Sequence, residues 1–132
     1  MSRRLAREEL FKLVFEGEIK EENTKDILES YLNREEILQN ENEIAFIKKY
    51  MNGITENNDK ILKVIEEKIT GWSFERIGNV EKALLKISVY EILCEDTPYE
   101  IVINEAVELA KIYGDEKTSE FLNGVLAKIV NN

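Results

Sequence analysis

Apolar residues recur along this chain at intervals of three and four, the spacing of helices that bury one face. No stretch alternates as a half-buried strand would, and there are six glycines and a single proline. The spacing predicts helices over about 3–16, 25–33, 42–54, 58–70, 79–94, 98–113 and 118–130, with a short helical turn near 73–77. In the first helix Ala6, Leu10, Leu13 and Val14 form a stripe with Phe11 and Phe15 beside it; Ser2 is a candidate cap and Gly17 a candidate stop. Ile44, Ile47, Tyr50 and Met51 keep helical register, as do Ile61, Ile65 and Ile69.

The segment NVEKALLKISVYEILC differs. Val80, Ala83, Leu84 and Ile87 make one stripe, and Leu85, Val89, Ile92 and Leu93 carry apolar cover most of the way round. Such a helix belongs in the middle of a bundle. Its polar residues Glu81, Lys82, Lys86 and Glu91 must emerge through gaps or find partners. Thr97 and Glu100 then have capping-box spacing around Pro98, with a start one turn later, near Val102, as the alternative. Gly114 stops that helix, and Thr118 or Ser119 caps the last. The expected fold is all-α, a single-domain bundle of about seven helices spanning 1–132, without internal repeats.

Composition narrows the function. The chain has 132 residues, 43% of them hydrophobic, which suits one domain with its own core. No apolar run approaches the roughly 18 residues of a membrane helix, so no membrane role is expected. Its one cysteine, Cys94, has apolar neighbours and reads as a small core residue, and the lone thiol predicts a reducing, cytoplasmic setting. Histidine is absent, which removes the commonest general base and metal ligand. No phosphate-binding loop, nucleophile elbow or metal-ligand spacing occurs. The expectation is a binding protein without cofactor or metal, not an enzyme. The enzymatic rival is a metal held by scattered carboxylates.

Charge sharpens this. With 18 basic and 27 acidic side chains the formal charge is −9, which opposes indiscriminate nucleic-acid binding. Yet three of the five arginines, Arg3, Arg4 and Arg7, fall within the first seven residues. Arg3 and Arg7 lie four apart on one face and Arg4 sits close by. Cations at a helix start oppose its dipole, so helix stability does not explain them. Glu8 and Glu9 offset part of that charge. Phosphates respond to charges within a Debye length of about 8 Å, so a local cationic patch can act despite the acidic total.

Three blocks of sequence resemble the NusB family of transcription antitermination factors. They are RRLAREELFKLVF at the start, WSFERIGNVEKALLKISVYEI, and PYEIVINEAVELAKIYGDEKTSEFLNGVLAKI. Residues 17–71 match mainly in length and helical character. The resemblance implies two helical subdomains packed together and no catalytic activity. It implies partnership with NusE, a small-subunit ribosomal protein, in binding the boxA element of nascent ribosomal RNA, and passage of RNA polymerase through terminators as part of an antitermination complex. A related domain begins certain RNA cytosine methyltransferases; the chain ends after the last bundle helix, so no methyltransferase domain is expected.

Residue by residue, the resemblance assigns Arg3, Arg4 and Arg7 to RNA, with Lys12 extending the patch. Tyr113 stands near the RNA surface, where it stacks on a base or else seals a helix end. Lys117 replaces an acidic contact of many relatives, and its reversed charge suits a phosphate. Asn123 reaches RNA or packs its helix. The partner-facing set is Phe15, Arg76 and Glu81, with the RNA surface as the alternative for Arg76. Phe15 stands where the family often has tyrosine, with a core role as its alternative, and Glu81 suits a basic partner. Glu105 is expected to anchor loop donors, and Trp72 to sit in the core or the subdomain seam. The rival reading is a homodimeric helical adaptor whose arginines stay solvated.

Overall fold

The computed structural model describes residues 2–34, 40–69, 71 and 73–131, with the backbone alone for Ser2 and Arg3. Among these residues seven α-helices and one 3-10 turn follow one another: α1 (Ser2–Lys20), α2 (Thr24–Leu32), α3 (Glu41–Glu56), α4 (Asn58–Lys68), the turn Phe74–Arg76, α5 (Asn79–Cys94), α6 (Tyr99–Tyr113) and α7 (Glu116–Val130). No described residue forms a strand. Trp72 lies outside the described residues.

Two groups of helices meet across α5. In the first, α1 packs on α2 and α3; in the second, α4 to α7 pack around one another; α1 and α3 both rest on α5. Leu10, Leu13, Ile27, Tyr31, Ile47 and Met51 fill the first group. Ile61, Ile65, Ala106, Ala110, Leu122 and Leu126 fill the second, and Leu84, Leu85 and Val89 of α5 serve both. This is the all-α architecture expected from the pattern, in the two packed subdomains that the family resemblance implies.

Several ends differ from the expectation. Helix α1 does not stop at Gly17 but continues to Lys20. Glu21 takes a left-handed φ of 56° and the Glu22 N–H donates to the Gly17 carbonyl at 3.0 Å, which closes the helix. Gly17 serves this return by lacking a side chain: a Cβ there would lie 3.1 Å from the Glu22 carbonyl oxygen. Asp115, not Thr118 or Ser119, caps α7, accepting from the Thr118 N–H and hydroxyl. Both residues instead lie inside α7 and are buried. At α6 the N-cap is Pro98 with no side-chain cap bond, so the Thr97–Glu100 box does not form.

The polar residues of α5 find partners. Lys86 donates to Glu18 of α1 at 2.5 Å, and the ammonium groups of Lys82 and Lys86 each lie 5.5 Å from the centre of the Phe74 ring. Cys94 is a correction: the last turn of α5 leaves the packed interior, and its thiol is exposed.

Candidate nucleic-acid interface

Helix α1 begins with no acidic residue in its first turn. Arg4 and Leu5 are exposed; Ala6, Arg7 and Leu10 are buried. The expectation that Arg7 joins a surface patch is thereby corrected. Its guanidinium forks onto Glu91 of α5, with Nη1–Oε1 at 2.8 Å and Nη2–Oε2 at 2.5 Å, and lies 5.8 Å from the centre of the Phe46 ring. Glu91 is fully buried, and the hydroxyls of Tyr50 and Thr97 also favour the charge on its carboxylate.

Burial alone would raise the Glu91 carboxyl. Arg7, by hydrogen bond and charge, outweighs burial, and with help from Tyr50 and Thr97 the carboxyl is held below its ordinary value. Burial likewise opposes the charge on Arg7, and Glu91 reverses that and raises it. Both groups are therefore ionised at neutral pH.

A signal for this placement was present in the sequence. Arg7, Leu10, Phe11 and Val14 follow i, i+3, i+4, i+7, which sets Arg7 within the apolar stripe. Glu91 was visible as a polar residue of an otherwise apolar helix, but its partner lay 84 residues away. Arg3 has its backbone in α1 and its side chain outside the described residues.

The other candidates gather along one side of α1 and at the α6–α7 turn. Lys12 is exposed. Tyr113 rests on Phe11, with centroids 4.8 Å apart, and donates from its hydroxyl to Glu8 at 2.7 Å. Burial, then the Glu8 carboxylate, push its phenol up to about 12, so the donor keeps its proton at neutral pH. Phe15 is half-buried, stacked on Phe11 at 5.5 Å. Arg4 and Leu5 border a groove between α1 and α6 whose far wall carries Glu105, Glu108 and Ile112.

A second groove brings Arg76, Glu81 and Lys117 together with Asp115 and Phe121. It joins the turn Phe74–Arg76 to the first turns of α5 and α7. Arg76 and Lys117 are exposed and Glu81 is half-buried. The Glu81 carboxylate lies over Gly78 in the first turn of α5, where the helix dipole favours a negative charge. Asn123 is exposed farther along α7. The described residues thus place Arg4 by one groove, with Tyr113 bonded to Glu8 of its lining, and Lys117, Arg76 and Glu81 in the other; Lys12 is exposed on α1.

The sequence pattern of the NusB family matches residues 2–131. The Transcription antitermination protein NusB of Fusobacterium nucleatum is 47% identical, with 96% of this chain and 86% of that protein covered. Its namesake from Clostridium perfringens is 40% identical over 100% of this chain and 98% of its own length. Among solved structures, T. maritima NusB superimposes with a TM-score of 0.86 at 33% identity, covering 98% of this chain and 91% of that one. A structure described as antitermination factors NusB and NusE in complex with dsRNA superimposes with a TM-score of 0.81 at 27% identity, covering 98% and 96%. From its first described helix to its last, the chain belongs to the NusB family.

Proposed function

We propose that this chain is a transcription antitermination factor that binds boxA-type RNA of nascent ribosomal transcripts together with the NusE ribosomal protein. The observation that carries this reading is the family match over residues 2–131. The geometry supports it with exposed cations on an acidic molecule: Arg4 and Lys12 on α1 and Lys117 at the start of α7. Their amine and guanidinium groups suit phosphate, and the half-buried Tyr113 ring offers a base a stacking surface. The groove holding Glu81 and Arg76 is the surface assigned to NusE, whose basic character complements a chain of charge −9. The RNA-bearing pair then rides on RNA polymerase. Function follows from a bound assembly, without turnover.

Titration of a boxA RNA against the parent and against an Arg4→Glu, Lys12→Glu variant, with and without NusE, tests the reading. Loss of RNA affinity with NusE binding retained is the expected result. Equal RNA affinity in variant and parent overturns the assignment of RNA to this surface.

One observation favours a second reading. Leu5 and Ile112, 55% and 60% exposed, flank the α1–α6 groove beside Arg4, Glu105 and Glu108. A second copy seated there would cover both apolar side chains and pair unlike charges, and it would also cover Arg4. Sedimentation of the parent and of Ile112→Glu separates the two readings: a dimer that the substitution dissolves supports self-association.

A further inference from the structure

The opening turns of α1 have little of their own to hold them. No acidic side chain serves the first turn, and Arg4 and Leu5 point to solvent. Ala6 contributes only a methyl group to the interior. Among the described side chains Arg7 is therefore the first long one of the helix to reach the body of the protein, and Leu10 is the next buried one. What it reaches is unusually well braced. Glu91 accepts both arms of the guanidinium, and its carboxylate is fully buried.

A bidentate fork constrains direction as well as distance, because two parallel bonds hold only one relative orientation of the planar groups. Apolar packing at the same place would be less directional than this fork. Arg4 lies three residues before Arg7, on a neighbouring part of the helix surface, so the roll that Glu91 fixes is the roll that aims Arg4.

We infer that Glu91 is a positioning residue for the RNA surface: through Arg7 it sets the orientation of the first turns of α1 and so directs Arg4 outward, without touching RNA itself. The inference rests on the reading of the Arg4 surface as an RNA site. It converts an arginine of the basic start from a contact into a strut, and gives a function to a carboxylate that is wholly enclosed.

The test uses the full chain in three variants: Glu91→Gln, which keeps the shape and removes the charge; the double replacement Arg7→Met, Glu91→Leu, which removes the fork and restores apolar packing; and Arg4→Ala. Three quantities are measured well below each melting temperature: affinity for a single-stranded boxA RNA, affinity for NusE, and amide hydrogen exchange over residues 4–8. For whichever Glu91 variant is folded, the expected result is a loss of RNA affinity of about fivefold to tenfold, the scale of one lost cationic contact, with faster exchange in the first turns and unchanged NusE binding. A merely structural role would not split the two affinities. RNA affinity within about twofold of the parent in a folded Glu91 variant, while Arg4→Ala weakens it, overturns the inference and leaves the RNA reading standing. Parent-like RNA binding by Arg4→Ala overturns both.

Discussion

Gly53 occupies the interior of α3, where glycine ordinarily weakens a helix. The Tyr90 ring explains it: a Cβ at this position would fall 2.2 Å from the ring, and Tyr90 is held in turn by its hydrogen bond to Glu95 at 2.8 Å. Gly53→Ala is expected to destabilise the protein by about 1–3 kcal/mol through overpacking, against the gain that alanine gives in open helices, as read by urea denaturation. The Arg7–Glu91 pair sets a second expectation at this scale. Glu91→Ala leaves a guanidinium buried without its counter-charge and costs about 3–5 kcal/mol, whereas replacing both members by apolar residues costs far less. Single residues were the least legible part of the site in the sequence. Spacing placed Arg3, Arg4 and Arg7 together but did not say which way each faces, and the apolar register that claims Arg7 competes with the charge pattern that exposes Arg4. Cys94 shows the converse: apolar neighbours in sequence did not guarantee an apolar surround in space.

Elements were far more legible, because each helix repeats its signal over several turns. Helix α5 announced its central place through apolar cover on most faces, and its polar residues turned out to be joined to α1 and the 3-10 turn. The ends were less legible, because a helix terminus depends on one or two residues whose competing partners lie elsewhere. Thr97 had the spacing of a cap, yet α6 takes the next residue, Pro98, at that position; Asp115 took a role that Thr118 and Ser119 fitted equally well by sequence. Two expectations belong here. The Asn40 side chain accepts from the Asn42 and Glu43 N–H groups at the start of α3, so Asn40→Ala is expected to cost about 1 kcal/mol in thermal or chemical unfolding. Glu21 closes α1 in a left-handed conformation that a side chain disfavours. Glu21→Gly is therefore expected to stabilise by up to about 1 kcal/mol, net of glycine's freer unfolded chain.

For the whole molecule, pH acts through carboxylates whose folded values are depressed. Glu91 is one; Glu16 is another, where burial raises the carboxyl but Arg34 and Lys20 together lower it. Their contribution is present above the ordinary carboxyl value of 4.5 and is lost as the pH falls through their lower folded values. A melting temperature that declines steadily below that point, more shallowly in the Arg7→Met, Glu91→Leu variant, is the expected calorimetric result. The shared position of α5 has a broader consequence. Neither trio nor quartet of helices owns a complete interior, since each borrows the same inner wall. Limited proteolysis should consequently yield no durable fragment from either side, and heating should produce one transition whose calorimetric and van't Hoff enthalpies agree. Damage to either flank is felt across the entire chain.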